Sequence, residues 1–504
     1  GVPGGVLVAG GVGGAAYIRS RFTPDTTPGP GEDGEIVTVA EGQLQGTIND
    51  GIYRYLGVPY AEAAERFVTA GPVTPWEGVL KADSYGPMSP QGSMLGFGAG
   101  NQDGTDNNCQ NLNIWTPGLN DGGLRPVLVW LHGGGFSTGT ANDSSYDGEA
   151  LAKNGDVVVV SVNHRLNVFG YLDLSAYDEK YKDSANVGMW DIIAALEWIQ
   201  QNIEVFGGDP DNVTVFGQSG GGAKVLGLMF TPYAVGLFHK GIVESGVTET
   251  VGVNFTSQEA STRLAENLLA ELNIAPENIE QLQIVAVDKL QSAATKALDA
   301  TAQEFQIPAP LTDGYQMEWE PVVDGDFLPT SPVTETNFAD AGQDIPLLIG
   351  SNLNEWTGFY RTSTDGVDTD ALSAALKTAY PDKTDLTADH VDTLIRLPIL
   401  KTMSHKADQN GAPVYAYLLT YGSSNHGAEI PYIFRHSDVS AMNDLFSSIW
   451  VNFARSGVPS ADSLPTWEPY TREGGATMLL DTTSQLVYHH DAALLKLLAP
   501  DYEY

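Results

Sequence analysis

The stretch with the most chemistry in it is the pentapeptide Gly217-Gln218-Ser219-Gly220-Gly221. Before it, Val213, Val215 and Phe216 have the β-branched and aromatic side chains that predict a strand. After it, Gly222 and Ala223 open a run that can be helical. A strand that reverses sharply into a helix strains its corner residue, and small neighbours let the two elements approach that closely. The corner here is Ser219, with its hydroxyl held above a sheet and its neighbouring amides at a helix N-terminus. That is the setting a nucleophilic serine requires. The hydroxyl remains a poor nucleophile until a base takes its proton. The base is usually histidine, held in the useful tautomer by a carboxylate.

Both partners have candidates further along. The run Ile345–Trp356 predicts a buried strand with a turn at its carboxyl end, and that turn holds Glu355. Val414–Tyr421 alternates as a strand and runs into a glycine-flanked turn with His426. Ser219, Glu355 and His426 each follow a predicted strand, so each falls where α/β sheets place their ligands. Asp324 and Asp326 are rivals for the acid on chain order, in a turn before the strand. Among the other histidines, His489 and His490 come late and could reach the site, whereas His164, His239, His390, His405 and His436 have no adjacent glycine-rich strand end. Val127–Leu131 is a continuous apolar run of the kind buried on both faces of a parallel sheet, and it ends in His132-Gly133-Gly134-Gly135-Phe136. Three glycines bring bare amides close to a bound group. With the amide of Gly220 they could form an oxyanion hole, and His132 would shape that loop.

The elements that must position these residues read as follows. Residues 35–67 predict an antiparallel meander. Asp156–Asn163 is a second buried strand, Val187–Ile203 a crossover helix, and Lys240–Gly246 another strand. The alternation of strand and helix gives an α/β fold with a central, mostly parallel sheet flanked by helices. Residues 257–305 are helical in pattern and interrupt that alternation, as an insertion over the active-site face (about 257–310). Residues 84–107 form a long Gly/Pro-rich loop with exposed-looking Met88, Met94, Leu95 and Phe97, the composition of a lid. A helix, a loop and a short final strand and helix close the chain.

Taken together, the motifs resemble the type-B carboxylesterase/lipase family, the cholinesterase-like α/β-hydrolases. They are Tyr55–Ala61 (Y-L-G-V-P-Y-A), Leu112–Pro117 (L-N-I-W-T-P), His132–Phe136 (H-G-G-G-F), Asn186–Asp191 (N-V-G-M-W-D), Phe206–Gly221, Val322–Pro329 (V-V-D-G-D-F-L-P), Gly350–Glu355 (G-S-N-L-N-E), His426–Tyr432 (H-G-A-E-I-P-Y) and Trp450–Gly457 (W-V-N-F-A-R-S-G). The resemblance runs from about residue 36 to the end. It implies the α/β-hydrolase fold, a serine carboxylesterase acting through an acyl-enzyme, and no metal or organic cofactor. It places the triad on Ser219, Glu355 and His426, and the oxyanion hole on Gly134, Gly135 and Gly220. It also implies Ser245 as a hydrogen-bond partner of the acid. Three departures stand out. Ser89 occupies the position where the family often has a disulfide partner for Cys109, which leaves the 84–107 loop unstapled and freer to move. Gln218 replaces the glutamate usual before the nucleophile. The 84–107 loop has no tryptophan. The last two argue against a cationic choline ester. A pocket drawing on Phe136, Phe97, Trp356 and Phe359 would take a neutral, apolar or aromatic ester. The alternatives are a catalytically weak binding or adhesion relative and an acyltransferase.

Composition sets the remaining bounds. The 504 residues carry 63 acidic side chains against 25 basic ones, a formal net charge of −38. Such a surface repels nucleic acid and anionic membranes. One cysteine rules out an intrachain disulfide and a cysteine-based zinc site. No apolar run is long enough to span a bilayer. The nearest, Val6–Ile18, is short and is followed by Arg19 and Arg21 and then by a Pro/Gly-rich stretch. Residues 1–34 therefore read as an export or anchor remnant with a flexible stalk, of a secreted or extracytoplasmic protein. Residues 35–504 read as one catalytic domain.

Overall fold

The protein is described here from a computed structural model, which describes residues 23–250, 254–333, 335, 337–356, 358 and 360–504. The apolar run Val6–Ile18 of the expected export remnant, with Arg19 and Arg21, lies outside the described residues.

The strands are β1 Glu32–Val39, β2 Gly42–Asn49, β3 Ile52–Pro59, β4 Val79–Lys81, β5 Asn111–Thr116, β6 Arg125–Leu131, β7 Val158–Val162, β8 Gly208–Gln218, β9 Lys240–Glu244, β10 Thr256–Ser257, β11 Val322–Val323, β12 Leu347–Asn352, β13 Val414–Leu419, β14 Ala476–Leu480 and β15 Gln485–Tyr488. One sheet runs β1-β2-β3-β5-β7-β6-β8-β9-β12-β13-β14-β15, with β4 beside β2, and β10 pairs separately with β11. From β7 to β14 all neighbours are parallel. The expected meander forms β1 to β3 at the antiparallel edge, which β5 continues between β3 and β7 while β4 lies parallel to β2, and β15 is antiparallel to β14 at the other edge. The expected single final strand is thus a pair, because the turn between Leu480 and Gln485 folds the chain back on itself.

Alternation along the central strands explains why both faces are covered. Val127, Val129 and Leu131 of β6 join one core cluster with Val158, Val160, Val213 and Val215. Leu128 and Trp130 join the opposite cluster with Val159, Phe216, Ile242 and Leu348. Helices α1 (Val187–Asn202), α2 (Gly220–Phe230), α3 (Gln258–Leu272) and α4 (Val287–Phe305) contribute to the first cluster, and α5 (Ser440–Ser456) to the second. Helices α3 and α4 pack on each other and fall between β9 and β12, where the helical insertion was expected. No helix among the described residues is long and apolar enough to cross a membrane.

Two expectations change. Residues 25–34 are not a free stalk. The Ser144 amide donates to the Asp25 carbonyl at 2.7 Å, the Arg54 guanidinium donates to the Gly29 carbonyl at 2.8 Å, and β1 already begins at Glu32. The 84–107 loop is fastened by hydrogen bonds although Cys109 is a buried free thiol. Ser89 Oγ accepts from the Leu166 amide at 3.0 Å, the Gln91 side chain exchanges two bonds with the Gly139 backbone at 2.8 and 3.0 Å, and the Gly92 amide donates to Ser137 at 2.8 Å. Met94 is buried rather than exposed, while Leu95 and Phe97 are half-buried.

Candidate active site

Ser219 sits between β8 and α2 with φ 58° and ψ −123°. A non-glycine residue in that region is held there at a cost of about 1–3 kcal/mol. The backbone around it fixes the turn. The Ser219 amide donates to the Glu244 carbonyl at the end of β9 at 2.8 Å, and the Ser219 carbonyl accepts from Ala223 at 3.1 Å. The flanking glycines are needed sterically. A Cβ on Gly217 would stand 2.4 Å from the Gly221 carbonyl carbon, and one on Gly221 would stand 1.9 Å from the Leu131 carbonyl oxygen. Ser219 is thereby pinched between β6, β8 and α2 at the carboxyl edge of the sheet.

Glu355 follows β12, and His426 follows β13, the adjacent strand. Their side chains meet at 2.6 Å between His426 Nδ1 and Glu355 Oε2, and the His426 amide donates to the Glu355 carbonyl at 2.8 Å. The other carboxylate oxygen, Oε1, accepts from the Ser245 hydroxyl and from the Asn352 amide, the latter at 2.9 Å. Both Glu355 and His426 are buried. Trp356 stacks on the His426 ring with centroids 4.1 Å apart.

Four carboxyls, those of Glu355, Glu429, Glu244 and Asp392, share this buried region, and Asp392 is raised by burial and then by the charge on Glu355. Burial raises Glu355 above its ordinary value, against the Ser245 and Asn352 donors that pull it back. Glu429 is raised by burial and then by the charge on Glu355, and Glu244 by burial and then by Glu429. Asn352 Nδ2 donates to Glu429 at 3.1 Å and Trp450 Nε1 to Glu244 at 3.1 Å. Glu355 accepts from the Ser245 hydroxyl, the Asn352 amide and His426 Nδ1, and these donors favour its ionised form against the burial.

The His132–Phe136 loop runs past the N-terminus of α2. Gly134 and Gly135 have φ 97° and 58°, and a Cβ on Gly220 would lie 2.2 Å from the Gly135 carbonyl oxygen. Gly135 and Gly220 therefore meet backbone to backbone at a helix N-terminus, which favours negative charge. Neighbours hold the loop's shape. The Gly134 carbonyl accepts from the Thr138 amide at 3.1 Å, and the Phe136 carbonyl accepts from the Asn167 amide at 2.7 Å. Asn167 Nδ2 in turn donates to the Pro90 and Ser137 carbonyls at 2.7 and 3.0 Å, tying this loop to the 84–107 segment.

The remaining sequence candidates fall as follows. Gln218 is fully buried at the end of β8, in register with Glu244. Phe136 is also fully buried, edge-on to Tyr171 at 5.4 Å. Phe97 lies in the 84–107 loop, and Phe359 lies outside the described residues. The rival acids are occupied elsewhere. Asp324 accepts from the Asp326 and Leu328 amides at 3.1 and 3.0 Å, and Asp326 accepts from the Tyr233 hydroxyl. His489 contacts the Arg472 and Glu473 carbonyls, and His490 the Tyr380 hydroxyl. Asn352, Glu429, Asn167 and Lys224 join the site through contacts to distant segments, which leave no local signal in the sequence. Lys224 alone left a mark, as the one charge in the apolar α2.

Comparison with known proteins agrees with this arrangement. The model of the carboxylesterase family matches residues 33–388 and 371–494. A para-nitrobenzyl esterase of Bacillus subtilis is 33% identical over 486 residues, covering 89% of this chain and 95% of its own. A phenmedipham hydrolase of Pseudarthrobacter oxydans is 30% identical, covering 88% of this chain and 94% of its own. Among solved structures, an esterase of Clostridium hathewayi that can hydrolyse aliphatic aromatic polyesters superposes with a TM-score of 0.81 at 32% identity, covering 95% of this chain and 99% of that one. The chain belongs to the carboxylesterase family, has the α/β-hydrolase fold and is a carboxylic ester hydrolase.

Proposed function

We propose that the chain hydrolyses neutral esters with apolar or aromatic groups through an acyl-enzyme on Ser219. The observation that carries this reading is the buried 2.6 Å bond between His426 Nδ1 and Glu355 Oε2, at the same sheet edge as the strained serine turn. With Nδ1 committed to the carboxylate, Nε2 is the ring nitrogen that takes the Ser219 proton as Oγ attacks the ester carbonyl. The carbonyl π pair moves to oxygen, where the amides of Gly134, Gly135 and Gly220 receive it. Collapse breaks the bond to the leaving alcohol, which takes the proton from His426. Water then attacks the acyl-enzyme by the same route and releases the acid and Ser219. Glu355 stays ionised throughout, held by Ser245 and Asn352.

The substrate class is supported by the surroundings and the relatives. Gln218 brings no charge next to the nucleophile. Half-buried Leu95, Phe97 and Trp356 offer apolar surface. One relative is a para-nitrobenzyl esterase, and the esterase of Clostridium hathewayi can hydrolyse aliphatic aromatic polyesters. The test is hydrolysis of p-nitrophenyl esters from acetate to palmitate by the wild type and Ser219→Ala, with fluorophosphonate labelling. Turnover and labelling by the wild type alone support the reading, and the chain-length profile defines the acyl pocket. Activity that survives in Ser219→Ala overturns it.

A further inference from the structure

Lys224 is fully buried in α2, one helical turn beyond Gly220. The rest of that helix is glycine, alanine, aliphatic residues, methionine and phenylalanine. Burying an ammonium group in such a helix is costly unless its charge is met. Side chains on a helix lean toward its N-terminus, and the preceding turn here is glycine, so the Lys224 stem runs back unobstructed toward the His132–Phe136 loop. Its Nζ donates to the His132 carbonyl at 2.9 Å and lies 5.4 Å from the centre of the Phe136 ring. One cation thus touches both ends of the glycine loop.

The next layer acts in the same sense. His132 Nδ1 is 2.7 Å from the Gly133 carbonyl, and a carbonyl only accepts, so that nitrogen carries the proton. The His132 ring stacks on His164 with centroids 4.9 Å apart. Burial, and then the charge on Lys224, hold His164 well below its ordinary range and therefore neutral. Two successive carbonyls, His132 and Gly133, accept hydrogen bonds. Each polarises its peptide, so the N–H on the other side becomes a stronger donor. The second of these peptides ends in the Gly134 amide.

We propose that Lys224 is a positioning residue for ester hydrolysis. It braces the His132–Phe136 loop from behind and sets a positive charge beneath the amides that meet the oxyanion. The proposal rests on the reading that the Gly134 and Gly135 amides bind that oxyanion.

The test uses K224M, K224Q and K224R in the full chain, with p-nitrophenyl butyrate as substrate. Removing an oxyanion donor outright typically costs about 100- to 1,000-fold in kcat, so loss of a brace behind the donors is expected to cost about 10- to 100-fold. KM is expected to stay within about threefold, because the ester carbonyl in the ground state draws little on these amides. Affinity for an aryl trifluoromethyl ketone, which forms the tetrahedral oxyanion on serine, falls by the same factor as kcat. Affinity for the matching alcohol stays unchanged, and K224R recovers most of the loss. A folded K224M with kcat within twofold of wild type overturns the proposal. So does a parallel loss of ketone and alcohol affinity, which marks general damage. If K224M does not fold, the ketone-to-alcohol ratio is read in K224Q, and a ratio unchanged from wild type there overturns it equally. Ser219→Ala separates the two levels: activity surviving there refutes the underlying reading, whereas an inert Ser219→Ala with a normal Lys224 variant refutes only the proposal.

Discussion

Glu318→Gln probes a buried titrating carboxyl outside the catalytic centre. Glu318 is 3% exposed and accepts the Leu95 amide at 2.7 Å and Gln316 Nε2 at 2.8 Å, so it anchors the tip of the 84–107 loop. Burial pushes its carboxyl from an ordinary 4.5 up to about 7, with Asp299 adding to the push and the two donors opposing it. In the folded chain it keeps its proton to near neutrality, while in the unfolded chain it ionises near 4.5. Between those values the unfolded state holds fewer protons, so stability falls as pH rises. The contribution is fully present below the unfolded value and is lost by the time pH has risen through the folded one. At about 1.4 kcal/mol per pH unit, the wild type should lose roughly 2–3 kcal/mol between pH 5 and pH 8 through this group alone. Glutamine has the shape of the protonated acid and does not titrate. In urea unfolding at pH 5 and pH 8, E318Q should gain roughly that amount on the wild type at the higher pH. Any constant cost of the substitution cancels in this difference, as do the other buried acids. An equal gap between the two proteins at both pH values, or a gap of opposite sign, refutes the reasoning.

Two further outcomes follow from the site itself. Ser245→Ala removes one of the donors on Glu355 Oε1 and leaves only the Asn352 amide there. A hydrogen bond to a charged group contributes about 1.5–3 kcal/mol, so kcat/KM on p-nitrophenyl butyrate should fall about 10- to 100-fold, and a fall under threefold would contradict the role given to this serine. Gly221→Ala puts a Cβ 1.9 Å from the Leu131 carbonyl and should destabilise the fold by about 3 kcal/mol, whereas Gly98→Ala meets nothing within 4 Å and should be silent. Their melting temperatures, compared with that of the wild type, check both.

Much of the reaction centre was legible in the chain because local sterics dictate it. Gly217 and Gly221 are glycines because no Cβ fits beside the backbone they touch. The turn they permit can therefore be recognised in sequence without knowledge of its surroundings. The same holds for the buried strands. Val127–Leu131 faces two cores, and its run of apolar residues says so. Glu355 and His426 were placed by following strands to their carboxyl ends, and β12 and β13 do lie side by side.

Contacts between distant segments were not legible in the same way. Phe136 read as pocket lining and is enclosed, because Tyr171 closes over it from 35 positions further on. Met94 looked exposed in a glycine-rich loop, yet that loop is fastened to Gly139, Ser137 and Leu166. The 25–34 stretch read as a stalk from its prolines and glycines, which say nothing about the Arg54 and Ser144 that bind it. The sequence alone determined the strand order along the chain, the serine turn and the types of group available for catalysis, since these follow from backbone geometry and side-chain chemistry within a few residues. Only the tertiary structure decided which donors converge on Glu355 among the buried carboxyls, and what the single cation in α2 touches. Both depend on how burial and hydrogen bonds from remote segments add up at one point in space.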